Sequence, residues 1–438
     1  MTKYLFVPTN LDLKSMLPEK RHKHIDKYHY FIHKLFEERI LNKMNDNRQG
    51  YVSISSEAMR EVVTPQQYTH IIRFLLDNNI VERDGIYSNG GDMGIYDPKC
   101  YWYRLTQPYR QDVARQMMVV DAAFEAKLTR KKHEAMKKTI VATPHLQFLH
   151  FNLLDLQIDH EGALAMIDEM LATDSEYTVE QHNIDTLAIL KIKNGEFFMV
   201  RDMVVNRVHN NLTSFPKRLR PFLRVASGEA LVNLDIRNSQ PLLLSLVLKH
   251  HYPGTMPEDV AKYIQLCETG QFYEHMMDLM GVPACPVHRE KIRKPFKEAC
   301  FAHIFYCRYN PHYQYEDAKA FKKAFPNCFK VIVQEKKGNY KNLSIKMQQA
   351  ESELMIDRVV KHLADLGQNI FALSIHDSLV VTKGHADYVR QLMLDEFAAQ
   401  GVYPTINVEP LSSSIPLTVG STGEDKTCAA PHPVPPSL

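Results

Sequence analysis

The chain has 438 residues, 45% of them hydrophobic and 24% charged, which is typical of globular rather than disordered proteins. Its 53 basic and 51 acidic side chains nearly balance, so net charge by itself indicates no acidic partner. We see no apolar run of the roughly 18 residues that a membrane span needs, no signal-peptide pattern and no C-x-x-C pair. We therefore expect about two or three domains, no membrane association and a cytoplasmic location.

Basic residues are nevertheless concentrated in three blocks, at 126–139, 207–224 and 319–346. Such blocks suit a phosphate backbone and point to nucleic acid as a partner. A solvated, lysine-rich helix face explains any one of the blocks taken alone.

The N-terminal region predicts a small module of helices and strands. A helix over 26–45 precedes a short strand that starts at 51 and leads into a helix, and the next helix, over 65–77, begins at a Thr64–Pro65 cap signal. A strand from Ile80 then turns into a hairpin at Asp84-Gly85, and a later strand over 101–105 could close the sheet. This order resembles a winged helix-turn-helix, in which 65–77 would be the recognition helix. A small α+β domain used only for packing fits the same pattern.

The middle of the chain predicts mainly helices. We expect one long helix over 108–140 and two more over about 161–173 and 177–192. Apolar density rises from 195, as at the approach to a sheet.

A first candidate site residue ends a buried strand. Leu231, Val232 and Leu234 predict that strand, which stops at Asp235, and a helix capped by Ser239 follows. A carboxylate there is costly unless a metal or another cation compensates its charge. A helix-capping role is the alternative.

A second aspartate lies at the tip of a predicted hairpin. Two β-rich runs, 370–375 and 379–381, flank His376-Asp377-Ser378. Aspartates are common in turns, so Asp377 alone also fits a purely structural role.

A helix predicted over 289–310 carries cations and aromatic rings on one face. Arg293, Lys297, Phe301 and Phe305 recur every four residues. A face that holds a triphosphate at one end and stacks a base at the other needs both residue types. Snorkelling basic side chains are the alternative, and a register that starts at Arg289 is also open.

One reaction requires all three features. Joining a nucleotide to a 3′-hydroxyl uses two carboxylates on adjacent strands, which hold two Mg²⁺ ions about 3.5–4 Å apart. A cationic helix holds the β- and γ-phosphates for in-line attack. The sequence therefore predicts two Mg²⁺ ions, for which Mn²⁺ can substitute, at Asp235 and Asp377.

With these residues in view, the segment from about 205 to 385 resembles the polymerase domain of family A DNA polymerases and single-subunit RNA polymerases. The strand ending at Asp235 is similar to motif A, and His376-Asp377 is similar to motif C. The fingers pattern R-x3-K-x3-[FYM]-x3-Y and the [MI]-Q pair of the Q helix are matched by Arg293, Lys297, Phe301 and Phe305, and by Met347-Gln348.

The resemblance implies roles for the matched residues. Asp235 and Asp377 would bind the metals, and Lys297 would also donate a proton to pyrophosphate. The implied nucleotide-binding residues are Arg293, Lys297, Phe301, Phe305 and Gln240. Primer or template contacts are implied for Gln348 and His376, and the basic stretch adds Arg207, His209, Asn210, Lys217 and Arg218 as nucleic-acid contacts.

The sequence also departs from the family. Ser378 follows Asp377 as in the RNA polymerases, Tyr306 replaces a glycine, and Pro295 interrupts the helical repeat, where it would bend the helix. In the family, a bulky side chain at the position of Gln240 crowds a ribose 2′-hydroxyl, and RNA polymerases sense that hydroxyl with a tyrosine at the position of Phe305. The resemblance therefore implies that the bulky Gln240 and Phe305, which has no hydroxyl, both favour deoxynucleotides. On balance these positions favour a DNA product.

We therefore expect an α+β fold in which a right-hand polymerase-like palm, built on an antiparallel sheet, carries helical fingers and thumb. The expected parts are a winged-helix-like domain (1–110), a helical connector or thumb (111–200), the palm (201–250 and 340–418), the fingers (251–339) and a disordered tail (419–438). The expected function is addition of dNTPs to primer–template DNA in replication, repair or a mobile element. Two alternatives stay open: an RNA polymerase or primase-like enzyme, and a DNA-binding initiator whose polymerase-like part is inactive.

Overall fold

The structure, a computed structural model, describes residues 4–41, 49–88, 100–307 and 315–411. The tail predicted to be disordered lies outside these ranges. Within them the fold is α+β, with small antiparallel sheets among many helices, as the sequence predicts. No helix of the described ranges has the length and apolar composition to cross a membrane.

The N-terminal part contains helices and strands in the predicted order, except that the hairpin predicted at Asp84-Gly85 is wrong, because residues 81–88 form one strand with a register shift after Arg83. Its elements are β1 (Tyr4–Pro8), α1 (Leu13–Met16), α2 (Ile25–Leu41), β2 (Val52–Ile54), α3 (Ser56–Val62), α4 (Pro65–Asp77), β3 (Val81–Ser88), β4 (Cys100–Leu105) and α5 (Gln107–Arg110). The predicted start of α4 is confirmed, because the Thr64 side chain accepts from the Gln67 backbone and Gln67 reaches back. β2, β4 and β3 pair in that order and form a three-stranded antiparallel sheet next to α3 and α4.

The single long helix predicted over 108–140 is wrong in its first part. Residues Ala114–Met118 form a strand, β5, which pairs antiparallel with β1. The helix α6 (Ala122–Ala142) begins only after Asp121, whose side chain caps it. The partner of β5 lies far away in the chain, so local periodicity carries no signal of the pairing. The pairing also joins β1 to residues beyond the expected boundary at 110.

The next elements connect this part to the central sheet. They are α7 (Leu146–Asp155), β6 (Leu156–Ile158), α8 (His160–Thr173), α9 (Val179–Lys193), β7 (Met199–Arg201), β8 (Val208–Asn210), α10 (Asn211–Ser214) and β9 (Leu223–Val225). Helices α8 and α9 confirm the two predicted helices, and β7 confirms the predicted approach to a sheet. Two short antiparallel pairs, β6–β9 and β7–β8, lie in this region.

The central sheet has four antiparallel strands. They are β10 (Leu231–Ile236), β11 (Ala372–Ile375), β12 (Ser378–Thr382) and β13 (Ile406–Pro410), in the order β11-β12-β10-β13. Leu234, Leu379 and Val380 are fully buried, so the two inner strands are embedded in the core. The predicted hairpin is confirmed as β11–β12, with His376 and Asp377 at its turn.

Helices between and after these strands surround the sheet. They are α11 (Ser239–His251), α12 (Glu258–Glu268), α13 (Phe272–Leu279), α14 (Pro286–Cys300), α15 (Glu316–Ala324), α16 (Pro326–Glu335), α17 (Asn342–Ser352), α18 (Lys361–Leu366) and α19 (Ala386–Ala398). The helices of the 251–339 segment share an aromatic core, in which Tyr263, Phe272, Phe321 and Phe325 are fully buried. That core holds α14 next to the end of the sheet.

Candidate active site at the end of the central sheet

The structure brings Asp235 and Asp377 to the same end of the central sheet. Asp235 on β10 lies opposite Ser378, the first residue of β12, and Asp377 directly precedes Ser378. Neighbouring strands lie about 4.7–4.9 Å apart, so this register makes the two carboxylates neighbours. The negative charge of Asp377 accordingly raises the pKa of Asp235.

The electrostatic surroundings of Asp235 disfavour an unaccompanied negative charge. Burial, together with the charges of Asp377 and Glu409, raises its pKa to about 6, although Lys297 and Lys217 act in the opposite direction. Among the described residues, no basic side chain forms an ion pair with Asp235 or Asp377 within 4.0 Å. A cation at this position would relieve the repulsion.

The donor set at this position fits a magnesium ion that shares its coordination with substrate. Carboxylate oxygens are the ligands that Mg²⁺ prefers, and Mg²⁺ commonly takes only one or two of them plus water and substrate phosphates. Within the described ranges no group of three or more His, Cys, Asp or Glu side chains is arranged to hold a metal by itself. Asp235 and Asp377 therefore fit an ion whose remaining ligands come from water or a bound molecule.

The backbone beside both aspartates is strained. Asn238 has a φ of 56° and His376 a φ of 54°, in the left-handed region that non-glycine residues rarely adopt. Asn238 is also the N-cap residue of α11, so the cap predicted at Ser239 is wrong by one position. Among the described residues, the buried Nδ2 of Asn238, Oγ of Ser239 and Nδ1 of His376 find no hydrogen-bond partner. Strain and unpaired polar atoms of this kind concentrate at functional sites.

Lys297 on α14 faces the aspartates. Its positive charge lowers the pKa of Asp235, and its Nζ lies 5.5 Å from the ring centroid of Phe301. No carboxylate of the described residues pairs with it. Arg293, one turn earlier, instead binds Glu274, with Nη2 2.9 Å from Oε1. Lys297 is thus a half-buried cation available to a ligand.

The alternative register that starts at Arg289 has less support. Arg289 donates to Asp278 and to the backbone oxygens of Val282 and Pro283, so it is tied to the loop after α13. Helix α14 runs through Pro295 and ends at Cys300.

A π-helical turn at Phe301–Phe305 changes which aromatic residue faces the site. The Tyr306 N–H donates to the Phe301 oxygen at 2.9 Å, five residues back, which inserts one residue into the helical face. Phe305 consequently turns into the aromatic core and is 0% exposed, so its predicted contact with nucleotide is wrong. Tyr306 takes the outward position, and its hydroxyl donates to Gln240 Oε1 at 2.7 Å. Phe301 stays half-buried, and its ring lies near that of Tyr306.

Glu351 is a residue that sequence analysis missed. It lies on α17, is 2% exposed, and accepts two hydrogen bonds from Arg207 and one from Gln240. Burial raises the pKa of Glu351 to about 7, although the Arg207 guanidinium opposes the shift. The signal available in the sequence was weak: an acid four residues after Met347 on the predicted Q helix.

The residues predicted to bind nucleic acid fall into two groups. Lys217 is exposed, and Gln348 and His209 are partly accessible. Asn210 is fully buried, caps α10 and donates to the Ser374 oxygen, so its predicted contact with nucleic acid is wrong.

Arginines of the same predicted set are engaged in ion pairs. Arg218 binds the buried Asp185, and Arg207 binds Glu351. The imidazole of His376 lies 5.5 Å from that of His209, and burial lowers the pKa of His376 to about 3, so this side chain is neutral.

Several lysines of the basic block at 126–139 form hydrogen bonds and ion pairs within the fold. Lys127 donates to the Val62 oxygen, and Lys131 and Lys132 pair with Glu61 and Glu196. These lysines attach α6 to neighbouring elements and are not free for phosphates.

Helix α4 presents a polar face to solvent. Its inner side buries Tyr68, Ile71 and Leu75. Its exposed residues are Gln66, Thr69, His70, Arg73 and Asp77.

A partly open cavity of about 450 Å³ lies elsewhere, between α2, α3, α6 and α9. Its charged side chains, among them Lys34, Glu37 and Lys191, pair with one another. Because those charges are already compensated, the cavity lacks the unpaired groups found beside Asp235.

No family model matches the chain, and no curated protein matches it. The functional argument therefore depends on the side chains at the end of the central sheet.

Proposed function

We propose that the protein is a template-directed nucleotidyltransferase, a small DNA polymerase that adds dNTPs to a 3′-hydroxyl. The single observation that carries this proposal is the pair Asp235 and Asp377, which are neighbours on adjacent strands, have no ion-pair partner among the described residues and lie near the positive charge of Lys297. Structural carboxylates are normally paired when they are removed from water. These two are arranged for an external cation.

Each residue of the proposed site has a distinct role. Asp235 and Asp377 would hold Mg²⁺, which lowers the pKa of the attacking hydroxyl and neutralises the leaving pyrophosphate. Lys297 contacts the triphosphate and supplies a proton to the departing pyrophosphate. Phe301, next to Lys297 on the same face, packs on the nucleotide. The accessible Lys217, His209, Gln348 and His376 contact primer or template.

Arg293 needs a rearrangement to serve in the same site. Its guanidinium pairs with Glu274, which also lies 3.6 Å from Arg237. To bind a triphosphate, Arg293 would therefore have to leave the carboxylate of Glu274.

The proposed architecture is that of a right-hand polymerase. The central sheet, from 201–250 and 340–418, is the palm, and the helices of 251–339 are the fingers. Residues 111–200 would form the connector or thumb, and the first 110 residues a winged-helix-like module.

The decisive experiment is extension of a labelled primer on a template with Mg²⁺. Asp235→Asn and Asp377→Asn should each lower extension at least about 10³-fold, since each removes a metal ligand from the transition state. Asp387→Asn, which changes an exposed acid on α19, serves as the matched control and should extend normally. Normal extension by Asp377→Asn would refute the proposal.

An RNA product is the second candidate, and one observation favours it. Phe305 no longer supports a DNA product, because its side chain is buried. A tyrosine hydroxyl, that of Tyr306, lies next to Gln240 instead. The bulk of Gln240 still favours deoxynucleotides. Incorporation of dNTPs and NTPs on primed and unprimed templates separates the two products and shows whether a primer is needed. Sugar preference unchanged by Gln240→Gly would remove the steric argument as well.

A DNA-binding initiator with an inactive polymerase-like part is the third candidate. The exposed polar face of α4, beside the β2-β4-β3 sheet, is the observation in its favour. This candidate predicts duplex binding that survives Asp235→Ala and Asp377→Ala, with no primer extension by the unchanged protein.

A further inference from the structure

The buried carboxylate of Glu351 binds Gln240, the side chain proposed to crowd the nucleotide sugar. Glu351 binds Arg207 through both oxygens, with Nε 2.7 Å from Oε1 and Nη2 2.6 Å from Oε2. Its Oε2 also accepts from Gln240 Nε2 at 3.0 Å. Gln240 Oε1 in turn accepts from the Tyr306 hydroxyl at 2.7 Å. Four side chains from separate elements thus form one continuous network.

This network fixes the direction of the Gln240 amide. An ionised carboxylate has no proton to donate, so the nitrogen of the amide must face Glu351. The oxygen of Gln240 then faces Tyr306 and takes its hydroxyl proton. That proton is consequently not available to an incoming ribose 2′-hydroxyl.

We propose that Glu351 is the positioning residue for sugar selection, because it orients Gln240 and, through it, the Tyr306 hydroxyl. At 2% exposure Glu351 lies behind Gln240 and does not touch the nucleotide. The inference rests on the proposed function and adds to it the source of discrimination between dNTPs and NTPs. Above about pH 7 Glu351 is ionised and can only accept, and the two hydrogen bonds from Arg207 compensate its buried charge.

The test is primer extension with dNTPs and NTPs by the full chain and by Glu351→Gln. The substituted side chain can donate as well as accept, so the Gln240 amide is no longer held in one orientation. Since a hydrogen bond to a charged group contributes enough for roughly a tenfold effect, we expect the dNTP-to-NTP ratio of kcat/KM to fall about tenfold. The change should appear chiefly in KM for NTPs. Glu353→Gln, at an exposed neighbouring position, should leave the ratio unchanged.

A double-mutant cycle separates positioning from a general loss of structure. In a Gln240→Ala background, Glu351→Gln should have no further effect on the ratio, because the residue through which it acts is gone. A loss of folded protein would lower extension with both nucleotides by the same factor. If Glu351→Gln folds poorly because Arg207 loses its counter-charge, Arg207→Gln combined with Glu351→Gln removes both charges and should show the same lowered ratio.

Two results overturn the inference alone: extension by Glu351→Gln with an unchanged sugar ratio, or an effect that persists without Gln240. Absence of any extension by the unchanged protein overturns the proposed function, and this inference with it.

Discussion

Asp185 on α9 and Asp235 on β10 are both carboxylates that the fold removes from bulk water, but their surroundings differ. Asp185 is 0% exposed and accepts hydrogen bonds from the Tyr177 hydroxyl, Gln181 Nε2 and Arg218 Nε, at 2.7, 3.0 and 2.7 Å. In the part of the chain that the structure describes, Asp235 has no such donor, and the charges of two further acids, Asp377 and Glu409, raise its pKa.

The difference shows how a structural carboxylate can be distinguished from a functional one. A buried charge with internal partners contributes to the fold, and removing it leaves those partners uncompensated. A buried charge without partners costs stability and is retained only if something outside the chain benefits. Substitutions at the two positions should therefore have opposite consequences.

The largest expected effect concerns Lys297, the cation that faces Asp235 and Asp377. Lys297→Met should lower kcat/KM for nucleotide about 10²–10³-fold, because it removes both a phosphate contact and a proton donor. The measurement is primer extension under single-turnover conditions. Lys294→Met on the same helix is the control, since Lys294 is exposed, and should change little. Equal losses of kcat/KM in Lys297→Met and Lys294→Met would show that Lys297 has no specific role in nucleotide binding or catalysis.

At the paired site, Asp185→Asn should lower the free energy of unfolding by about 3 kcal/mol, since it leaves Arg218 without a counter-charge. Urea denaturation measures this loss. The exposed Asp168, which pairs only with His182, provides the comparison, and Asp168→Asn should cost less than about 1 kcal/mol. Extension per folded molecule should be unaffected by either change.

Acidification should lower the activity that depends on Asp235 and Asp377. Because the pKa of Asp235 is raised to about 6, the carboxylate needed for a cation is protonated below that pH, and extension should fall about tenfold per pH unit there. Glu409→Gln removes one of the charges that raise this pKa, so the fall should move to lower pH. A pH profile of kcat/KM, measured for the two proteins at limiting nucleotide, tests the shift, and coincident profiles would contradict it.

The smallest effect has the opposite sign to that at Asp185. The folded protein binds a proton at Asp235 up to about pH 6, whereas the ordinary pKa of an aspartate is 3.8, so folding stability due to this group falls as pH rises between these values. Asp235→Asn removes that penalty and should stabilise the metal-free protein by about 1 kcal/mol at pH 8. The gain should shrink as pH falls toward 4. Thermal unfolding in the presence of a chelator measures this gain. If Asp235→Asn instead destabilised the protein at pH 8, Asp235 would be a carboxylate that stabilises the fold, as Asp185 is.

Local signals in the sequence were sufficient for several elements of the fold. The Thr64–Gln67 cap marked the start of α4, and apolar periodicity located α2, α8 and α9. The strand ending near Asp235 and the hairpin at Asp377 were also readable, because short buried strands and turns have characteristic residues. Strand β5 was missed, since its pairing with β1 depends on a distant segment.

The candidate site was predictable only in part. The residue types at 235, 377 and 297 indicated the chemistry, but spacing could not show the π-helical turn that exchanges Phe305 for Tyr306. Sequence also could not distinguish basic residues available to nucleic acid, such as Lys217, from those engaged internally, such as Arg218.

By itself, the amino-acid sequence determined where acids, cations and aromatic rings stand along the chain and which short segments form helices or strands, because caps and periodicity act over a few residues. Tertiary structure alone decided which charges are compensated. Compensation depends on contacts between distant segments, such as Glu351 with Arg207 and Asp185 with Arg218, and on the lack of any for Asp235 among the described residues.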